Sequence, residues 1–325
     1  MQVESQLPER KLRFGLGMDL NWESPDGFVS VDGGQFRLAD PIVKYLSMNR
    51  EEYDYFFFSI QPRSFDLLNN PKRVDEYFSC YDPLLKQIGK DRFSIHHTFL
   101  NLGTHEKNYP REMIADFTNA FIERYKTPWI NEDLGIWSLN KKSLPYPIPP
   151  ILNDEGLRTC IENINFFTQR LKCPLFVEFP GFSDGANFFL GKLNAFEFFK
   201  KVIESTDAFC TLDTGHILSY QWLLRNQNDY FKDLDLFLPF EKCREIHLSG
   251  CSIVKDTFFD FHHGVIIDEQ IEMLEFLLPR CPNIYGVTYE DPKFTVDGEL
   301  IPKSRLNFLK MQQMVRNWEK EIALG

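Results

Sequence analysis

Short apolar, β-rich runs recur along this chain at intervals of roughly 35 to 45 residues, and between them the apolar positions shift to helical spacing. The first four runs are Phe14–Leu20 (FGLGMDL), Tyr55–Gln61 (YFFFSIQ), Arg92–Leu100 (RFSIHHTFL) and Trp129–Trp137 (WINEDLGIW). The second half supplies Pro174–Pro180 (PLFVEFP), Ala208–His216 (AFCTLDTGH), Arg244–Cys251 (REIHLSGC) and Ile284–Asp291 (IYGVTYED). Helical spacing covers, among others, Lys72–Ile88, Arg111–Tyr125, Asp154–Leu171, Ala195–Ser205, Asp268–Leu278 and Ser304–Ile322. Alternating β and α elements predict a parallel sheet. Eight such units without a break in composition predict an α/β fold closed into a (β/α)8 TIM barrel, with residues 1–325 as a single domain. An open doubly wound sheet has fewer strands and often a Gly-rich phosphate loop after the first, and GLGMD lacks the GxGxxG spacing. Ser138–Ile151 (SLNKKSLPYPIPPI) reads as too proline-rich for helix or strand and is expected to form an ordered loop over the barrel mouth.

Composition narrows the class of protein. At 325 residues and 43% hydrophobic content the chain can bury a sizeable core. A net charge of -11, from 47 acidic and 36 basic residues, argues against nucleic acid and anionic membranes as partners, because a phosphate-binding face needs clustered Lys and Arg. The first residues, MQVESQLPERKLRF, lack the apolar core of a secretory signal, and no apolar stretch reaches spanning length, so a cytoplasmic location is expected. The seven cysteines are scattered without a CxxC pair, as reduced, mostly buried thiols would be.

The chemistry gathers where barrel enzymes place it, at the C-terminal ends of the strands. In order these ends carry His96 and His97, Glu132 and Asp133, Glu178, Asp213 and His216, His247, and Glu290, and the loop after the seventh adds Asp260, His262 and His263. All seven histidines lie at these ends or near them, His105 following strand three closely. Carboxylates in apolar strands such as FVEF and VTYED are costly to bury without a cation, and few Lys or Arg lie nearby. Oxygen and imidazole donors without convergent cysteines suit iron, manganese or zinc at a catalytic site, and nine or so donors exceed one ion's needs. Two ions sharing a carboxylate would use them, with enough left for a third.

Strand alternation limits that list. His96 and His97 cannot both face inward, so His96 is taken as the ligand and His97 as structural. Glu132 is preferred as a ligand over Asp133, which is left for a catalytic role. The Asp213–His216 run (DTGH) could be a plain turn, His247 a satisfied core histidine, and Asp260 with His262 a solvated pair; their common position at strand ends favours binding. Cys251 is read as a buried thiol.

The ordered set Asp213-Thr-Gly-His216, Ile246-His247-Leu248-Ser249-Gly250, Asp260-x-His262 and Glu290 resembles the xylose isomerase-like barrel superfamily. Within it the chain is similar to the multinuclear non-haem iron-dependent oxidases, of which the methanobactin-biosynthesis oxidase is the best-known kind. The likeness is carried by His96 with Leu100-Asn101-Leu102-Gly103, Asn131-Glu132-Asp133-Leu134, the proline run Leu144–Pro150, Phe176-Val177-Glu178-Phe179-Pro180, Phe237–Gly250 and Asp260-x-His262 with Asp268. The chain departs where Ser59-Ile60-Gln61-Pro62-Arg63-Ser64 replaces the family's strand-two histidine run. It departs again where Asp133 replaces the strand-four histidine and Phe179 an asparagine.

The resemblance implies an oxygen-dependent oxidoreductase with two iron ions, or three, and O2 as co-substrate. One ferric ion would hold the substrate, often through a thiolate, and a ferrous neighbour would activate dioxygen. The ligands expected on this reading are His96, Glu132, Glu178, Asp213, His216, His247, Asp260, His262 and Glu290; Arg63, within a departure from the family, is expected by its charge to hold a substrate carboxylate at the barrel mouth. The implied substrate is a peptide side chain or a small molecule, thiol-containing ones included, and the family often relies on a partner protein that delivers it. Two rival readings are a divalent-metal sugar isomerase or epimerase, active without oxygen, and a metal-binding partner protein that has lost catalysis.

Overall fold

The computed structural model describes residues 12–18, 40–60, 68–79, 81–89, 92–140, 142–182, 191–262 and 264–324. Eight parallel strands close into a barrel: β1 (Arg13–Met18), β2 (Tyr55–Ile60), β3 (Phe93–His97), β4 (Ile130–Asp133), β7 (Leu175–Glu178), β8 (Phe209–Asp213), β9 (Cys243–Leu248) and β12 (Gly286–Glu290). Each overlaps one of the eight apolar runs, β1 and β9 starting one residue ahead of theirs. β1 closes the ring by pairing with β12 on one side and β2 on the other.

Alternation along the strands sorts side chains into two cores. Phe56, Phe58 and Ile60 of β2, with Phe93 and Ile95 of β3, face outward into the large cluster under the helices. Tyr55, Trp129, Phe176 and Phe209 face inward and plug the barrel floor, with Trp129 stacked on Phe176 at 5.6 Å. Gly15 and Gly17 of β1 make room for this interior. A Cβ at Gly15 would lie 2.3 Å from the Tyr55 ring, and one at Gly17 2.3 Å from that of Phe57.

Three expectations change in detail. The helical pattern Lys72–Ile88 is two helices, Pro71–Ser79 and Asp82–Ile88, because Pro83 can open a helix but not continue one. The run Ala208–His216 stops being strand at Asp213, whose side chain caps the helix Thr214–Leu223 by accepting the His216 backbone N–H at 2.8 Å. The proline-rich stretch contains a strand after all: β5 (Ile136–Leu139) and β6 (Lys142–Ile148) form an antiparallel hairpin. Its register pairs Ile136, Ser138 and Leu139 with Ile148, Ser143 and Lys142 and skips Pro145 and Pro147, which a two-stranded ribbon with open edges tolerates. A second hairpin, β10 (Cys251–Val254) and β11 (Thr257–Asp260), follows β9. Both hairpins leave the C-terminal ends of barrel strands. Among the described residues no helix is long and apolar enough to cross a membrane.

Candidate metal centre

Above the aromatic floor the barrel interior becomes polar, and at and just beyond the strand ends it holds nine side chains able to ligate a metal. They form four overlapping groups whose ligand atoms lie within 4.8 Å of one another: His96, His247 and Glu290; Glu178, Asp213 and His247; Asp133, Glu178 and His216; and His216, Asp260 and His262. Glu178, at the end of β7, is the hub. Its Oε2 lies 3.1 Å from His247 Nδ1 and 3.2 Å from His96 Nε2, and its Oε1 lies 3.4 Å from His216 Nδ1. Asp133 completes the near side, 3.9 Å from His96 and 3.7 Å from His216. β11 brings in Asp260, whose Oδ2 is 3.2 Å from His216 Nε2 and whose Oδ1 is 3.4 Å from His262 Nε2. Ser249 Oγ donates to that same Oδ1 at 3.1 Å, which aims Asp260.

The imidazoles are held by their far nitrogens, as metal ligands usually are. His216 Nδ1–H donates to the Phe179 carbonyl at 2.7 Å, which leaves Nε2 toward Asp260. His262 Nδ1 lies 3.2 Å from Asp291 Oδ2, which leaves its Nε2 inward. The Phe57 ring packs against both His96 and His247, tilted by 33° and 31° with ring centres 5.4 and 5.3 Å away, and walls off the inner side.

Electrostatics shows what the cluster lacks. Among the described residues, the ion pairs of Asp133, Glu178, Asp260 and Glu290 are all with histidines, never with Lys or Arg. Burial, then the charge of Glu178, pushes Asp133 up to about 7 against the pull of His216 and His96. Burial likewise raises Glu290 to about 8 and Asp213 to about 6 despite neighbouring histidines. For His96, burial opposes protonation, yet the hydrogen bond and charge of Glu178 with Asp133 and Glu290 outweigh it and carry its pKa up to about 9. Asp133 Oδ1, Asp213 Oδ2, His247 Nδ1 and Glu290 Oε2 are buried and make no hydrogen bond. Unsatisfied ligand atoms of this kind, converging from four strands, fit a cation. Oxygen and nitrogen donors without a thiolate suit iron, manganese or zinc.

One imidazole nitrogen serves one ion, so His247 and His216 each belong to a single metal. The groups His96–His247–Glu290 and His216–Asp260–His262 share no residue and can therefore be filled together, with Glu178, Asp133 and Asp213 between them to bridge or to hold another. The second group is the more open, His262 keeping 26% of its side chain exposed while His247 is fully buried.

The structure brings together His96, Glu178, Asp213, His216, His247, Asp260, His262 and Glu290 from the sequence-derived ligand set. It reverses the choice between Glu132 and Asp133. Asn131 faces the interior, so period-two alternation turns Asp133 inward with it and Glu132 away. The Glu132 carboxylate is taken by the backbone N–H groups of Phe99, Leu100 and Asn101, at 2.9, 2.6 and 2.6 Å, and clasps the loop after β3. His97 points outward beside it, bonded to Thr118 on helix Arg111–Tyr125 at 2.9 Å. Gln61, Arg63 and His263 lie outside the described residues. Sequence reasoning missed Glu245, two positions before His247 on the same face of β9, and Asp291. An E-x-H spacing within a strand was the available signal for the first.

Solved structures show the same fold. D-allulose 3-epimerase from Methylomonas sp., in complex with D-allulose, is 13% identical, with a TM-score of 0.54 over 94% of this chain and 98% of that one. Mannonate dehydratase from Streptococcus suis serotype 2 is 11% identical, with a TM-score of 0.51 over 97% and 95%. A xylose isomerase domain protein from Planctomyces limnophilus is 10% identical, with a TM-score of 0.50 over 96% and 99%. At such identities they establish the (β/α)8 barrel fold and nothing finer. No curated protein matches the sequence. Residues 76–293, more than half of the chain and inclusive of every residue in the cluster, match the family described as "RiPP precursor modification enzyme MbnB/TglH/ChrH", and the chain belongs to that family.

Proposed function

We propose that this chain is a non-haem iron oxidase that modifies a side chain of a precursor peptide, using O2 and a centre of two irons with room for a third. The observation that carries this reading is the pair of disjoint ligand groups joined by the Glu178 carboxylate, supported by the family's description as a modifier of RiPP precursors. Asp133 takes the ligand place first given to Glu132. Arg63 keeps its sequence-based role of holding a substrate carboxylate, and a delivery protein is the expected partner.

Iron bound here would supply Lewis acidity and a route for electrons between substrate and oxygen. The protein's own part is positional. Glu178 spans the two ligand groups, and the Phe179 carbonyl and Asp291 fix which nitrogens of His216 and His262 face inward. Phe57 and the aromatic floor exclude water from below. The more exposed His216–Asp260–His262 side, flanked by hairpin β10–β11, is where a substrate side chain enters.

Anaerobic purification with metal analysis, followed by oxygen-uptake measurement with a precursor peptide, tests the reading. About two irons per chain and oxygen consumption are expected. Under one iron per chain with no oxygen consumed overturns it, and turnover of a sugar without oxygen would favour an epimerase instead.

A further inference from the structure

Beneath the ligand layer sits a buried carboxylate with no place in the ligand set. Glu245 is fully enclosed on β9, and its two oxygens collect four donors from β2, β12 and the start of β4. Oε1 accepts from Tyr55 Oη at 2.7 Å and Thr288 Oγ1 at 2.5 Å, and Oε2 accepts from Trp129 Nε1 at 2.9 Å and Asn131 Nδ2 at 2.7 Å. These four donors are neutral, so they solvate the charge without cancelling it. Among the described residues, the ion-pair partner of Glu245 is His247, whose Nε2 lies 3.3 Å from Glu245 Oε1 while its Nδ1 faces Glu178 and Glu290 at 3.1 and 3.9 Å. A metal on Nδ1 requires the ring proton on Nε2, and Glu245 is the acceptor placed for it.

The other tethered ligands differ. His216 gives its far proton to a neutral carbonyl, and His262 gives its own to Asp291 at the more exposed side of the cluster. Of these three candidate ligands, His247 alone is backed by an anion screened from solvent on every side, where a charge acts at its strongest.

Resting on the reading of this cluster as a metal centre, we propose that Glu245 is a positioning residue that makes the two metal positions unequal. By holding the Nε2 proton of His247 with a buried negative charge, it makes the His96–His247–Glu290 position the tight one and favours the more highly charged ion there. The His216–Asp260–His262 position, without such backing, exchanges its metal more readily. Glu245 touches neither ion nor substrate and acts only through His247.

Zinc added alone to the metal-free full-length protein, in competition with a chromogenic chelator, is the first measurement. Two binding steps of different affinity are expected for the wild type. In Glu245→Gln the tighter step weakens tenfold or more, the weaker step is unchanged, and the midpoint potential of bound iron, followed by electron paramagnetic resonance, moves to more positive values. A merely structural Glu245 would lower the melting temperature and leave zinc affinity per folded chain and potential where they were, which overturns the proposal. Should Glu245→Gln not fold, Tyr55→Phe carries the test: it deletes one donor to Oε1, strengthens the carboxylate's hold on His247, and shifts the potential in the opposite direction. An unmoved potential in Tyr55→Phe also overturns the proposal. Failure of the wild type to bind zinc or iron removes the metal-centre reading itself, whereas normal wild-type binding with an indifferent variant removes only the role of Glu245.

Discussion

Adjacent residues in β4 do opposite work, and their variants should separate cleanly. Glu132 satisfies three backbone N–H groups, so Glu132→Gln is expected to cost about 3 kcal/mol of stability while metal content per folded chain stays unchanged. Asp133 has a buried oxygen with no hydrogen bond and sits against the like charge of Glu178. Asp133→Asn should therefore raise the melting temperature of the metal-free protein and weaken metal binding. The pH dependence follows from the sign of the shift. A carboxyl raised from about 4 in the unfolded chain to about 7 in the fold destabilises the fold increasingly across that interval and by a constant amount above it. The advantage of Asp133→Asn in thermal melts of the metal-free protein should thus grow from about pH 4 and level off above about pH 7. A melting difference that shrinks over that interval would contradict the placement of Asp133.

At the scale of elements, the helix Thr214–Leu223 joins fold to site. Asp213 caps it with Oδ1 and leaves Oδ2 for the cluster, so one side chain both starts the helix and serves as a donor. The positive end of that helix also faces the carboxylates, which the macrodipole favours. Hairpin β10–β11 packs against the same turn, and the space between them is filled at Gly215. A Cβ there would lie 2.8 Å from Cys251 Sγ, 3.0 Å from Asp213 Oδ1 and 3.1 Å from Ser249 Oγ. Gly215→Ala should cost about 1 to 3 kcal/mol as an overpacked site and displace Asp213 and the hairpin that carries Asp260. Metal analysis of the folded variant should show a loss of bound ion, and full occupancy would refute this packing argument.

For the whole molecule, the metal-free barrel stores like charges that the fold alone cannot neutralise. Near neutrality it holds protons on Asp133, Glu290 and His96, raised to about 7, 8 and 9. Metal ligation requires those protons to leave. Metal addition to the unbuffered protein should release protons, more at pH 6 than at pH 9, and apparent affinity should rise with pH. The same titration should raise the melting temperature in proportion to the logarithm of free metal over the dissociation constant. Absence of both effects would show that the cluster does not take up ions.

How much of this was legible beforehand differs by feature. The eight barrel strands and most of the residues that cluster at their ends could be read from the chain, because strand periodicity and the cost of burying charge act locally and leave a pattern in residue order. Parity was not legible. Whether Glu132 or Asp133 faces inward depends on which face Asn131 takes, and that is set by pairing with β3 and β7 across the barrel. Nor could residue order show that the proline-rich run pairs with β5, that His216 lies in the first turn of a helix, or that Glu245 meets Tyr55, Trp129 and Asn131 from distant parts of the chain. The amino-acid order by itself determined the alternating architecture and the kinds of donor available at its open end. Tertiary structure alone decided which donors meet, because convergence is a property of barrel closure, in which residues hundreds of positions apart become neighbours through strand register.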